Sequence, residues 1–289
     1  MTDHPSPAAP GPARAVATGL RILTLDGPDA ADFLEGQSMT PLKRLADQHM
    51  RLSAFADARG RVIAIAPAWR SGPAWRLALP AGEADWFAQR LARYKLRARV
   101  DIDVQRDTVV AGVTGPLPAG LEPGTVDMED AIEMAALDAG RRLVVAAADA
   151  PGLPFSALSA EAPEEDDWKR TRLLAGEPRI REATRAAYLP QMLGLDELGA
   201  VGFSKGCYPG QEVIARTRNL GRVKRRLVLL RCPKPAAEGT GEIDGVKLDI
   251  LDCVPDAGEF LVQAVAPHPL PDALSGRVAP VQIPATGTS

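Results

Sequence analysis

The alternation of hydrophobic and polar residues predicts a chain that mixes strands with helices. Short apolar runs that end in turn-forming residues indicate strands. The runs at 60–69 and 74–80 are separated by Ser71, Gly72 and Pro73, and this spacing predicts a hairpin. The strands predicted in the first half of the chain are LRILTLDG (20–27), GRVIAIAPAW (60–69), AWRLALP (74–80), VDIDV (100–104), DTVVAGVTGP (107–116) and RRLVVAAA (141–148).

Helices are predicted where apolar residues recur every three or four positions. DAADFLEG follows Pro28, which the first turn of a helix tolerates. From Glu83 to about Leu96 the apolar residues keep helical spacing, beside a basic stripe of Arg90, Arg93 and Arg97. PEEDDWKRTRLLAGEP (163–178) has four acids at its start and Gly176 near its end, and we interpret the acids as partners of the helix dipole.

After residue 221 the pattern changes to alternating strands without a predicted helix. The recurring turns predict a small antiparallel sheet or barrel and a domain boundary at 219–222. At the other end, MTDHPSPAAPGPA predicts a disordered tail and no secretory signal. The strands predicted after 221 are RVKRRLVLLRC, VKLDILDCV, EFLVQAVA and SGRVAPVQIP.

Composition is that of a soluble globular protein, with 46% hydrophobic and 25% charged residues among 289. The net charge of -3 provides no overall attraction to nucleic acid or an anionic membrane. Apolar runs such as VIAIA are too short to span a bilayer, so no membrane partner is expected.

Cysteine and histidine are scarce and scattered. Cys207, Cys232 and Cys253 are odd in number and widely spaced, which fits neither a disulfide framework nor a structural zinc or iron–sulfur site. The three histidines show no local metal-ligand spacing, so no metal site is predicted. We therefore expect a reducing compartment and a cytoplasmic protein.

One cysteine lies in the stretch KGCYPGQE (205–212). Its Pro-Gly pair occupies the two central positions of a type II turn, and QEVIARTRN after it predicts a helix. The helix N-terminus and the ammonium group of Lys205 would both favour a thiolate at Cys207. The alternative is that Cys207 is a small packed residue and that Gly206 and Gly210 only permit a tight turn.

The residues Lys205-Gly206-Cys207-Tyr208 and Gly210-Gln211-Glu212 resemble the signature of the YgfZ family of folate-binding proteins, relatives of the glycine cleavage aminomethyltransferase. The resemblance implies an α+β fold in which an aminomethyltransferase-like folate-binding body (15–220) surrounds a central cavity. A disordered tail (1–14) would precede it and a small antiparallel β-barrel domain (221–289) would follow. Segments that share the resemblance are DGPDAADFLEGQSMT, AFADARGRVIA, RYKLRARVDID, Trp168 to Pro178, and LPQMLGLDELGAVGFSKGC.

The resemblance also implies the function and part of the site. Such proteins bind tetrahydrofolate or another reduced folate and support the assembly or repair of iron–sulfur client proteins, in some members with an effect on tRNA modification. On the motif we assign Cys207 and Lys205 as catalytic. The residues expected to bind the cofactor are Lys205, Tyr208, Gln211, Glu212, Arg172 and Arg216.

The two arginines, Arg172 and Arg216, are chosen on charge alone, since the glutamate tail of a folate needs cations. The alternative for both is an ordinary solvated helix face. No segment resembles the TGYTGE-type stretch of true aminomethyltransferases, so glycine cleavage is not expected.

Three classes of function stay open. The first is a tetrahydrofolate-binding accessory factor for iron–sulfur proteins, with Cys207 as a redox or transfer thiol. The second is a folate-dependent one-carbon transferase that acts on a protein or RNA. The third is an RNA-binding module built on the basic stretches 90–99 and 216–231, for which we expect only weak, salt-sensitive binding.

Overall fold

The computed structural model describes residues 14–129, 131–150, 158, 162–220 and 222–282. The predicted tail lies outside this part of the chain, except for Arg14, which begins the first strand. The strands are β1 (Arg14–Ala17), β2 (Leu20–Asp26), β3 (Met50–Ala56), β4 (Val62–Ser71), β5 (Ala74–Pro80), β6 (Asp101–Val104), β7 (Thr108–Thr114), β8 (Val126–Glu129), β9 (Ile132–Asp138), β10 (Arg141–Ala147), β11 (Arg225–Cys232), β12 (Gly239–Ile243), β13 (Val246–Asp256) and β14 (Glu259–Pro267). The α-helices are α1 (Ala30–Gln37), α2 (Ala81–Ala92), α3 (Asp166–Leu174), α4 (Gln211–Leu220) and α5 (Asp272–Ser275).

The strands form three antiparallel sheets. The first sheet has the order β3-β4-β5-β2-β6, the second β1-β7-β10-β9-β8, and the C-terminal sheet β11-β14-β13-β12. The predicted hairpin is confirmed, since β4 and β5 pair with Ser71 opposite Ala74. All six strands predicted between residues 20 and 148 are present, while β1, β3, β8 and β9 were not predicted and join them as partners.

The first sheet is covered on both faces. From β2, Leu23 and Leu25 point to the core that includes Phe87 of α2, while Leu20 and Ile22 point to the core that contains residues of the second sheet. Because successive side chains of a strand face opposite ways, a strand buried on both faces is apolar almost throughout. This burial explains why apolar residues dominate β2 on both faces, although Arg21 and Thr24 interrupt the run.

Helix α2 is shorter at its C-terminus than predicted. It begins at Ala81 and ends at Ala92, so the predicted extension to Leu96 is wrong. Leu96 has φ of 43°, a left-handed conformation that cannot continue a right-handed helix. Tyr94, which the helical spacing of apolar residues includes, lies beyond the end of the helix and is 45% exposed.

Helix α3 ends as predicted but uses its acids differently. Gly176 adopts φ of 72° just after the helix, the left-handed conformation that commonly terminates helices. Only two of the four acids lie in the first turn. Glu165 Oε1 instead accepts a hydrogen bond from the Ala17 N–H at 2.9 Å, and Glu164 pairs with Arg172. The dipole interpretation therefore explains half of the acidic run.

The C-terminal sheet is open, so the predicted β-barrel is not confirmed. Strands β11 and β12 are its two edges. Alternating hydrophobicity indicates paired strands, but closure depends on strand number, tilt and stagger, which a local pattern does not contain. The segment 275–284 was predicted as a strand. In its described part, Ser275 ends the unpredicted helix α5, and Val278 forms a single bridge with Leu230.

This sheet packs against the rest of the protein with one face. Leu229 and Leu261 share a core with Leu173 of α3, whereas Leu230 and Val262 point to the other face. The boundary between a body and a separate C-terminal domain near residue 220 stays a prediction. Within the described ranges, no helix is both long and apolar enough to cross a membrane.

Candidate functional site

The turn predicted within the signature is confirmed. The Gln211 N–H donates to the Tyr208 carbonyl at 3.2 Å, and Gly210 has φ of 78°, as the third residue of a type II turn requires. Helix α4 then begins at Gln211. A Cβ atom on Gly210 would lie 2.5 Å from the carbonyl oxygen of Asp57 and 2.5 Å from the Cα of Gly60. The loop is therefore seated against the β3–β4 turn, backbone against backbone.

Lys205 fastens the same loop to the end of α1. Its side chain is only 1% exposed. The ammonium group donates to the carbonyl oxygens of Glu35 and Ser38, both at 2.7 Å, and of Thr40 at 3.0 Å. Burial lowers the pKa of Lys205, and the Glu35 carboxylate at 3.3 Å partly offsets this effect. These three acceptors match the three donors of an ammonium group.

Cys207 is an exposed thiol. In the part of the chain that the structure describes, no hydrogen bond reaches its sulfur, and the Lys205 donors are held by carbonyl oxygens. In this conformation the ammonium group of Lys205 therefore makes no hydrogen bond to the Cys207 thiol that would support the expected activation. Cys232 is buried, which raises the pKa of its thiol, and Cys253 is half-buried. The catalytic role of Cys207 stays a prediction.

The remaining signature residues divide between the core and the surface. Tyr208 is 7% exposed and packs in a core cluster with Ile65 of β4; burial raises its pKa. Gln211 is half-buried, whereas Glu212 and Arg216 are exposed on α4. The loop thus presents Cys207, Glu212 and Arg216 to solvent, while Lys205 and Tyr208 hold it in place.

A second feature, the central cleft, lies between the first sheet, the second sheet and α3. Its enclosed volume is about 30 Å³, and the space including its open mouth is about 400 Å³. One end is polar and contains Arg172, Glu177 and Arg179. Its apolar walls are formed by Leu20, Leu52, Ile65, Pro67, Ala78, Pro80, Leu137, Leu143, Trp168 and Pro178.

Buried ion pairs build the polar end. The Nε of Arg172 lies 2.9 Å from Glu164, and its Nη2 lies 2.5 Å from Asp252. The Nη1 of Arg179 lies 3.0 Å from the other oxygen of Glu164, and its Nη2 donates to the Thr18 carbonyl at 2.8 Å. Burial opposes ionisation of Asp252, but Arg172 and Arg181 outweigh it and hold the pKa of Asp252 at about 2.

Ion pairs link four cations and three carboxylates in this cluster, and Glu177, which also lines the polar end, is paired with Arg141. The four most buried members are two arginines and two carboxylates, so their charges balance. Burial and the neighbouring Arg172 lower the pKa of Arg179 to about 9, and an arginine still keeps its proton at neutral pH. Arg172 has two carboxylate partners and Arg179 has one, so Arg179 is the buried cation that best suits an anionic group on a ligand. The cations are Lys169, Arg172, Arg179 and Arg181, and the carboxylates are Glu164, Asp252 and Glu238.

The loop and the cleft share one wall. Leu52 and Ile65 line the cleft, and both belong to the core cluster in which Tyr208 packs. Arg172 lies in the cleft wall and is 3% exposed, so the alternative of a solvated helix face does not describe it. Sequence reasoning missed Arg179, because only the fold brings it beside Glu164 and Thr18. The described residues contain no group of three or more potential metal ligands.

Comparisons with known proteins agree with this architecture. No family model matches the chain. The tRNA-modifying protein YgfZ of Klebsiella pneumoniae is 30% identical over 271 residues, which cover 84% of this chain and 82% of the relative. The protein of the same name from Vibrio atlanticus is 26% identical and covers 71% and 65% of the two chains.

A solved structure, glycine cleavage system aminomethyltransferase T from Bartonella henselae, superimposes with a TM-score of 0.70. The match covers 90% of this chain and 79% of that one at 15% identity, so the fold is aminomethyltransferase-like. The identity to the Klebsiella protein over most of both chains settles the family, and the chain therefore belongs to the YgfZ family.

Proposed function

We propose that this protein binds tetrahydrofolate or another reduced folate in the central cleft and acts as an accessory factor in the assembly or repair of iron–sulfur proteins. The observation that carries the proposal is the apolar cleft whose polar end contains the buried Arg172 and Arg179. The relatives are named tRNA-modifying proteins, so we extend the proposal to iron–sulfur clients that modify tRNA.

The chemistry of the cleft matches the parts of a folate. Flat rings gain from apolar walls such as Trp168 and Leu143, while the glutamate tail carries carboxylates that need a cation. Arg172 is engaged by two carboxylates, which suits it to a positioning role. Arg179 has one carboxylate and one carbonyl partner, and we assign it to the folate carboxylate.

The exposed signature residues support the proposed action on iron–sulfur client proteins. Cys207 stands in solvent on a loop whose other side packs against the wall of the cleft through Tyr208. A client protein could reach this thiol without entering the cleft. We propose that Cys207 acts on the client as a redox or transfer thiol, and that Glu212 and Arg216 contribute to the same exposed surface.

Isothermal titration with tetrahydrofolate tests the folate proposal. Arg179→Gln should weaken binding by at least about tenfold, since a charge-assisted hydrogen bond contributes about 1.5–3 kcal/mol. Arg216→Gln is the matched control, because it removes the same charge from an exposed helix position and should leave binding unchanged. If Arg179→Gln does not fold, Leu52→Trp provides a second variant that narrows the cleft from a half-buried position.

Two results would contradict the proposal. If tetrahydrofolate gives no heat of binding with the wild-type protein, folate binding is not part of the function. If Arg216→Gln loses affinity for tetrahydrofolate and Arg179→Gln does not, the folate binds at the exposed loop and not in the cleft. In the same titration, Cys207→Ala should bind tetrahydrofolate as the wild type does.

A further inference from the structure

A second pocket lies between the C-terminal sheet and the turn at residues 193–198. Its enclosed volume is about 110 Å³, below the range of about 300–1,000 Å³ typical of drug-sized ligands, so it has room only for a small molecule. Val281 is 39% exposed, and Gln263 is 1% exposed. Apolar side chains form most of the lining: Leu193, Leu198, Leu227, Val228, Leu229 and Val281.

Gln263 is the unusual residue of this pocket. Both its amide oxygen and its amide nitrogen are buried and have no hydrogen-bond partner in the described part of the chain. Buried polar side chains are nearly always paired, because an unpaired one loses its hydration without compensation. The side-chain amide of Gln263 lies in the wall of a pocket with neither its oxygen nor its nitrogen hydrogen-bonded, so a ligand in the pocket would supply the missing partners.

The sheet itself does not require an amide at this position. Gln263 lies on β14 between Leu261 and Val265, which have the same orientation and belong to apolar cores. Towards β11 it faces Leu229, which is also in an apolar core, and towards β13 it faces the buried Asp252. The ion pairs of Asp252 are with Lys169, Arg172 and Arg181, and no hydrogen bond joins it to Gln263 in the described structure. A leucine at 263 would continue the apolar surface on the β11 side, so the neighbours in β11 and β14 do not account for the glutamine.

Charge narrows the class of ligand. Among the described residues that line the pocket, Glu197 is the single charged one, and it is paired with Arg226 at 2.8 Å. No cation lines this pocket in the described structure, unlike the central cleft with Arg172 and Arg179. An anion such as a folate therefore belongs in the central cleft, and this pocket suits a neutral molecule.

We propose that the pocket around Gln263 binds a small, neutral, planar molecule that carries an N–H and a C=O side by side, as in the lactam edge of a nucleobase. A glutamine amide offers one acceptor and two donors, so it can form a pair of hydrogen bonds with such an edge. The leucine side chains would hold the ring by apolar contact. This site is independent of the folate proposal and lies on the other side of the 176–179 segment, whose Gly176 lines this pocket and whose Arg179 lines the cleft.

Ligand-observed NMR and calorimetric titration of the full chain with uracil and with hypoxanthine test this inference. The matched probe is 1,3-dimethyluracil, which keeps the ring but lacks the N–H donors and should bind at least about tenfold more weakly than uracil. Gln263→Leu should lose uracil binding to the same degree. It should also raise the Tm of the unliganded protein, because it removes an unpaired buried amide.

Gln191→Leu is the matched protein control. Gln191 is also buried and its amide oxygen is also unpaired in the described structure, but its amide nitrogen donates to the Ile214 carbonyl at 3.0 Å and it does not line the pocket. This variant should keep uracil binding and lower the Tm. The inference is overturned if neither uracil nor hypoxanthine binds, if dimethyluracil binds as well as uracil, or if Gln263→Leu keeps the affinity. A lowered Tm of Gln263→Leu without probe binding would identify a structural water on the amide and would also overturn it.

Discussion

Replacing Gly210 by alanine should detach the signature loop from the β3–β4 turn. The residue adopts φ of 78°, where an alanine is disfavoured by about 1–2 kcal/mol. Its new Cβ would lie 2.5 Å from three backbone atoms, namely the Asp57 carbonyl oxygen and the Cα and nitrogen of Gly60. Backbone atoms cannot rotate away as a flexible side chain can, so the overlap adds about 1–3 kcal/mol.

The opposing effect is small. An alanine restricts the unfolded chain and so stabilises the folded state by about 0.4–1 kcal/mol. The free energy of unfolding should therefore fall by about 1–5 kcal/mol in Gly210→Ala, out of the roughly 5–15 kcal/mol of a typical domain. Gly206→Ala is the control within the same motif, because a Cβ on Gly206 would meet no described atom within 4 Å and the residue has no left-handed φ. Its free energy of unfolding should stay within about 1 kcal/mol of the wild type.

Urea denaturation followed by tryptophan fluorescence measures both differences. Amide hydrogen exchange then shows whether the loss is local to residues 205–220 or spread over the whole chain. If Gly210→Ala is as stable as Gly206→Ala, the close approach of the two backbones does not hold the loop, and the role assigned to this glycine is wrong.

Three further predictions concern charged and reactive side chains. Lys205→Met should lower the free energy of unfolding by about 3 kcal/mol in the same urea assay, because three buried carbonyl oxygens lose their donor; an unchanged value would contradict the fastening role. The pKa of Asp252 is held at about 2, below its usual 3.8. Its ionised form should therefore add about 2 kcal/mol to the free energy of unfolding above pH 4, and this stabilisation should be lost as the pH falls towards 2. Asp252→Asn should remove that acid-dependent loss, and an unaltered pH profile would disprove the linkage. Iodoacetamide at neutral pH should label Cys207 before the buried Cys232. Cys207→Ala should abolish activity towards iron–sulfur enzymes in cells, while its free energy of unfolding stays within about 0.5 kcal/mol of the wild type. Full activity in that variant would show that the glycines and the turn matter more than the sulfur.

Local signals in the sequence identified much of the fold. The strand β2, the β4–β5 hairpin and the start of α4 follow from apolar runs, turn residues and helix-start signals, which act over a few neighbouring residues. Gly176 and Gly210 were assigned to a helix end and a turn, and both adopt the left-handed conformation that these positions need. Such features are predictable because their physical cause lies within one turn or one strand.

The end of α2 and the shape of the C-terminal sheet were not predictable in the same way. Nothing in the apolar spacing indicates the left-handed conformation of Leu96, and alternation cannot show whether a sheet closes. The segment 275–284 has the alternation of a strand, yet beyond α5 it pairs only at Val278 in its described part. In each case the outcome depends on which distant surface is available for pairing or packing.

By itself, the sequence determined the family signature, its turn and the scarcity of cysteine, because each of these is a property of adjacent residues or of composition. Tertiary structure decided what the signature residues do. It turned Lys205 inward to three carbonyl oxygens and left Cys207 in solvent, although the two are neighbours in the chain. It also gathered Glu164, Arg172, Arg179 and Asp252 into one buried cluster, and such a cluster exists only after folding has excluded water from charges that are far apart in sequence.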